Sequence, residues 1–225
     1  MDVRVILATL QYKMATPLMR IDRPASRPLL TISLLLSLLT GLLLPWLLAQ
    51  SAPLTLNAYD LAEWASLHPL QSASNPPLAA PLLLRVHLVI LCALVGAAAQ
   101  GNHAKRAAAL VIVALAVAQL PPIEFVNDLA NLNYRQQFGL ALASLFLGIP
   151  ALRWVNHRWQ PAWVAGCGLL GLLTTLAGAT LALDVFASLA SGGSAGLGIW
   201  IVAASYVSLF GVGFRALVVS ARSQM

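Results

Sequence analysis

The sequence predicts an all-α polytopic membrane protein, a bundle of six transmembrane helices with one short interfacial helix on its outer side. Three observations lead there. The 225 residues are 60% hydrophobic and only 9% charged, with a mean hydropathy of +0.83, whereas a soluble domain keeps about 25% charged residues to face water. Six apolar stretches are near the length of about 20 residues that a helix needs to cross a bilayer. Basic residues fall between those stretches and, counted loop by loop, collect on one side.

The chain opens with a basic leader, residues 1–28, read as cytoplasmic. Its mixture of apolar and basic side chains suits a segment lying on an anionic leaflet, and equally a tail that only sets topology. The first span is 29–49, LLTISLLLSLLTGLLLPWLLA. Ala49-Gln50-Ser51 resembles a signal-peptide cleavage site, but the apolar run is longer than the usual core of about 7–15 residues, so a retained anchor is expected. The remaining spans are 80–100, 106–126, 137–155, 161–187 and 194–217, followed by a cytoplasmic tail, 218–225.

Loop 50–79 is the one long connection. Within it, NAYDLAEWASLHP predicts a short helix over 57–67. Asn57 and Asp60 approximate a capping box, apolar Leu61, Trp64, Ala65 and Leu67 recur at helical spacing, and Pro69 stops the run. The segment beyond, LQSASNPPLAAP, is rich in turn residues.

Orientation follows from Lys and Arg. With the N-terminus inside, eleven of the thirteen basic residues lie on the cytoplasmic side, leaving Arg85 and Arg135 outside. Asp60, Glu63, Glu124, Asp128 and Asp184 fall at or near the outer face. Both termini are therefore expected in the cytoplasm and the chain in the plasma (inner) membrane. Trp46 and Phe186 are expected to anchor the outer interface, and Trp154, Trp159 and Trp163 the inner one.

Several chemistries are excluded by their missing parts. The net charge of +6 is dispersed between apolar runs, so it forms no nucleic-acid patch. Gly192, Ser194 and Gly196 match the spacing of a nucleophile elbow, but no His, Asp or Glu follows Ser194; a tight hairpin is expected there. His68, His87, His103 and His157 offer neither a haem pair nor an i, i+4 metal face. Cys92 and Cys167 have no disulfide or CxxC pattern. No cofactor, metal or catalytic residue is expected.

Two features remain. Gly168, Gly171, Thr175 and Gly178 form a small-residue stripe, the device by which membrane helices approach closely. Arg85 lies about five residues, roughly 7 Å, inside its span. It either snorkels to the headgroups or pairs at the same depth. The expected pair is Arg85–Asp184, with Glu124 and Thr180 nearby, facing an outer cleft under the loop helix that carries Asp60, Glu63 and Trp64. His87, about 200° around the helix from Arg85, is expected against a neighbouring helix or at the headgroups. The functional expectation is a structural or accessory subunit of a larger membrane assembly, its partners being the lipid bilayer and other membrane subunits. The alternative is a transporter or solute-binding component that uses the outer cleft.

Overall fold

The computed structural model describes residues 26–49, 55–156, 158–187 and 193–222. The chain divides into two compact units, Met1–Leu30 and Thr31–Met225. Most of the first, including residues 1–25 of the basic leader, lies outside the described residues, as do Gly192 and His157.

Among the described residues the protein is all-α apart from one small sheet. Its helices are α1 (Ser26–Leu43), α2 (Ala58–Ser66), α3 (Pro69–Ser72), α4 (Ala79–Ala98), α5 (Asn102–Ala118), α6 (Leu132–Trp154), α7 (Gln160–Ala187) and α8 (Leu197–Arg222). Four of them, α4, α6, α7 and α8, with 20, 23, 28 and 26 residues, are long and apolar enough to cross a membrane. Helices α1 and α5 are shorter, at 18 and 17 residues.

Several boundaries differ from the sequence expectation; the helix expected from 137 begins at Leu132, behind the Asn131 cap. The run expected to stay helical over 29–49 stops at Leu43, because Pro45 has no amide to donate and biases the residue before it away from helix. The run expected over 106–126 begins four residues earlier and stops at Ala118; Pro121 and Pro122 follow, and Glu124 falls in the 3₁₀ turn Ile123–Asn127. The last helix starts at Leu197 rather than 194, because Gly193–Ala195 is a strand. That strand, β3, pairs antiparallel with β1 (Leu47–Ala49), and β1 pairs antiparallel with β2 (Thr55–Leu56). The described part of the expected hairpin, Gly193–Ala195, is thus a sheet edge that ties the segment after α1 to the segment before α8.

Helix α4 is the most buried of the four long helices and packs between α6 on one side and α7 on the other. Helix α5 lies on α4 and α6, burying Ala108, Ile112 and Ala116 at i, i+4 spacing. Helix α8 packs along α7, and α1 meets α8 through Ser37, bonded to Ser205 at 3.0 Å, and Gly41, where a Cβ would touch Val202.

The bundle therefore has two unlike ends. The sheet, α2 and the connection between α5 and α6 lie at the capped end, and the α4–α5 and α6–α7 turns lie at the open end. The α4–α5 turn passes through Gly101, whose φ of 78° with ψ of 158° suits a residue without a Cβ. All five carboxylates among the described residues, Asp60, Glu63, Glu124, Asp128 and Asp184, sit toward the capped end. Lys105, Arg106, Arg153, Arg158, Arg215 and Arg222 sit toward the open end.

Candidate functional site

The polar centre of the molecule is built around Arg85, one and a half turns into α4. Its side chain is 1% exposed, so the guanidinium does not snorkel. It is met instead from two other helices. Nη2 donates to Glu63 Oε1 of α2 at 2.8 Å, and Nη1 donates to Asn133 Oδ1 at 2.6 Å and Gln136 Oε1 at 3.2 Å of α6. The amide of Gln137 also donates to Glu63 Oε1, at 2.5 Å. One buried cation is thus satisfied by one carboxylate and two neutral oxygens, the arrangement that offsets the desolvation of a charge. Arg85 Nε is buried without a hydrogen-bond partner among the described residues.

Local sequence explains how each partner arrives. Helix α2 forms where expected: the Asn57 side chain accepts from the amides of Tyr59 and Asp60 at 2.9 and 3.0 Å. The buried face of α2 holds Ala58, Leu61, Ala62 and Ala65, and Glu63 stands at its edge, 38% exposed. Trp64 packs on Phe186 of α7 with centroids 4.9 Å apart, and Asp60 is exposed. Helix α6 begins with an Asn cap of its own: Asn131 accepts from the amides of Asn133 and Tyr134. Its first turns carry Asn133, Gln136 and Gln137 on one face, at i, i+3 and i+4.

The entry to α4 is held by backbone as well. Leu78 takes a left-handed conformation, φ 56° and ψ 38°, a backbone state of order 1–3 kcal/mol above the common ones for a side-chain-bearing residue. Buried Gln71 holds it there. The Gln71 carbonyl accepts from Leu78 N at 2.7 Å, and its side chain accepts from Ala80 N at 3.1 Å. The Leu78 carbonyl in turn accepts from Gln136 Nε2 at 3.3 Å, so the strained turn belongs to the same network as Arg85.

Tyr59, on α2, borders the cluster. Burial and then the neighbouring Glu63 carboxylate raise its phenol above the ordinary value near 10.

The expected partners of Arg85 are distributed otherwise. Asp184 is exposed near the end of α7, Thr180 is exposed and donates to the carbonyls of Leu176 and Ala177 on its own helix, and Glu124 is exposed in the 3₁₀ turn. The carboxylate that meets Arg85 is the one on the loop helix, which reaches down onto α4 directly.

His87 faces the other way, as its two-residue offset dictates. It is wholly buried, its Nδ1 lies 3.1 Å from the Tyr206 hydroxyl, and its ring lies 5.6 Å from that of Trp46. Trp46 and Phe186, expected at the outer interface, are both buried. The turn after Pro45 folds Trp46 inward, where Nε1 donates to the Gly41 carbonyl at 2.9 Å, and α2 covers Phe186. Trp154 and Trp159 at the open end are exposed, at 72% and 58%.

The small-residue stripe on α7 serves two partners. A Cβ at Gly168 would meet the Phe210 backbone and one at Gly171 the Tyr206 ring, both on α8, whereas one at Gly178 would meet Leu83 of α4. Thr175 donates to the Gly171 carbonyl at 2.7 Å. Ser194 is exposed on β3, a strand with no His, Asp or Glu following it in the sequence.

Compared with known proteins, the chain matches no family model, no curated protein and no solved structure. Fold and site together define an all-α protein whose four long apolar helices are compatible with integral membrane localisation.

Proposed function

We propose that this chain is a six-crossing integral membrane protein acting as a structural or accessory subunit of a larger membrane assembly. Helices α1 and α5, at 18 and 17 residues, lie at the short end of the range of about 17–25 that spans a bilayer. Adding them to the four longer helices makes six crossings. Both termini then lie on the side of the open end, and the separation of acids from bases along the bundle favours the cytoplasm of a plasma (inner) membrane for that side. Helix α2 becomes the outer interfacial helix.

The observation that carries the subunit reading is how Arg85 is used. Its guanidinium is closed off by side chains of α2 and α6 and acts as a strut between three helices. Exposed Gly139, Gly166 and Gly211, each with open space where a Cβ would stand, leave flat faces that suit a close-packed partner helix. Photo-crosslinkers at Gly139 and Gly211 in native membranes test this: a discrete protein adduct of one mass is expected, and adducts to lipid alone would overturn it. The solute-binding reading is favoured by one feature, the partial exposure of Glu63. A lone chain that retains a small solute after mild purification, with loss of the solute in Glu63→Gln, would replace the first reading by the second.

Topology is tested separately. In a background lacking Cys92 and Cys167, A73C should label from outside intact cells and N102C should not. Outside labelling of N102C would reverse the orientation.

A further inference from the structure

We propose that the open end of the α6–α7 pair is a binding site for one anionic phospholipid, with an acyl chain in an apolar groove and the phosphate on Arg153 and Arg158. The inference rests on the placement of the open end at a bilayer surface.

The groove has a structural cause. Helices α6 and α7 follow one another in the chain, yet each packs along α4 rather than along the other. Trp163 and Gln160 of α7 fasten that helix to α4 by donating to the carbonyls of Ala93 at 3.2 Å and Ala97 at 3.0 Å. A crevice of about 140 Å³ remains, lined by Phe146, Leu147, Pro150, Trp154, Val155 and Trp163. From Phe146 to Trp154 it follows α6 for about 12 Å at helical rise. Sites that enclose a compact small molecule run to about 300–1,000 Å³ and place polar groups inside. This groove is narrower, elongated and lined by apolar side chains, which suits a hydrocarbon chain.

The mouth supplies the opposite chemistry. Arg153 and Arg158 flank the α6–α7 turn and are exposed, and the Arg158 guanidinium lies 5.8 Å from the Trp159 ring centroid. That contact holds one cation at the depth where indole rings sit among headgroups. Exposed Lys105 and Arg106 on the α4–α5 side of the same end extend the basic surface. No carboxylate among the described residues lies at this end, so the charge is free to attract a phosphodiester. A zwitterionic lipid offers the same chain but carries its own cation toward the arginines. Charge complementarity therefore selects an anionic headgroup.

Native mass spectrometry of the full chain in neutral detergent tests the site, with phosphatidylglycerol and phosphatidylcholine of identical oleoyl chains added in equal amounts. One retained phosphatidylglycerol per chain is expected, favoured about tenfold or more. Arg153→Gln with Arg158→Gln should bring the two lipids to parity, and inorganic phosphate should not displace the bound lipid. Leu147→Trp, with Val155→Trp as an independent plug, should lower retention of both lipids while the melting temperature stays near that of the parent. Equal retention by the parent chain, a preference that survives the double Gln variant, or displacement by phosphate would each overturn the proposal. Phosphatidylglycerol preference combined with outside labelling of N102C would keep this site and overturn only the orientation.

Discussion

Helices α4 and α6 run side by side, and the pair is joined in two different ways at its two ends. At the capped end Arg85 reaches across to Asn133 and Gln136, long side chains that need room between the helix axes. Near the open end, Gly96 meets Gly148 so closely that a Cβ on Gly96 would land on the Gly148 carbonyl oxygen. The helices therefore diverge toward Arg85 and converge toward Gly96. Where they diverge, the space is filled by hydrogen-bonding groups and α2. Where they converge, backbone touches backbone, and dispersion over the contact does what polar groups do at the other end. Charge is tolerated inside this bundle where the helices are spread, and glycine is needed where they are not.

Breaking the convergent end should have the largest effect. Gly96→Val places side-chain atoms where the Gly148 carbonyl stands, and because a backbone atom must move, a loss of about 3 kcal/mol or more is expected. Gly139→Ala, on the open face of α6 with nothing within 4 Å of its Cβ position, should stay within about 1 kcal/mol of the parent and on the stabilising side. Denaturation midpoints in mild detergent measure both. Similar losses for the two variants would remove the contact from the account.

The divergent end comes next. Glu63→Ala leaves a guanidinium with 1% exposure beside neutral acceptors only. A fully buried pair broken in this way costs about 3–5 kcal/mol; with Glu63 itself partly exposed, about 2 kcal/mol is expected. A double-mutant cycle should give coupling of about 1 kcal/mol between Arg85 and Glu63, and none beyond error between Arg85 and Asp184. Coupling to Asp184 instead would mean that the salt bridge described above is not the one that stabilises the fold.

A smaller change is expected on the opposite face of α4. Tyr206→Phe removes the hydroxyl that meets His87 Nδ1 and should cost about 1 kcal/mol, the net worth of one buried hydrogen bond plus its unsatisfied partner. The smallest effect is alkaline. Because the folded protein holds the Tyr59 phenol above its ordinary value, the unfolded chain loses that proton first. The associated stability is complete below about pH 10 and is lost as pH rises through the folded value. Tyr59→Phe should flatten that limb of a melting-temperature profile, and an unchanged limb would place the phenol in water.

Much of this could be read from residue order. The apolar runs locate the long helices, Asn57 and the periodicity of Leu61, Trp64, Ala65 and Leu67 locate α2, and the depth of Arg85 offers pairing beside snorkelling. The identity of its partner was not legible, for a definite reason. A helix expected to begin at 137 leaves Asn133 and Gln136 in a loop, so the polar face at i, i+3 and i+4 goes unnoticed. Once Asn131 is recognised as a cap, NYRQQ becomes a polar strip on the first turns of a membrane-length helix, which is itself a sign of an interior partner. Glu63 was hidden differently. It is one residue off the buried face of α2, and only tertiary contact decides whether such an edge residue turns outward or down. The sheet left little trace, since its strands are three, two and three residues long, below any useful alternation.

The pairing of Leu47 with Ala195 also has a consequence for how the protein is made. At about 5–20 residues per second, roughly seven to thirty seconds of translation separate the two strands. During that interval β1 has an open edge toward the absent β3, Trp46 has no Gly196 amide for its carbonyl, and the α8 side of α1 is uncovered. Helix α1 is thus completed only when α8 arrives. A chain that stops before α8 would present an unfinished α1 to whatever quality-control machinery inspects nascent membrane proteins.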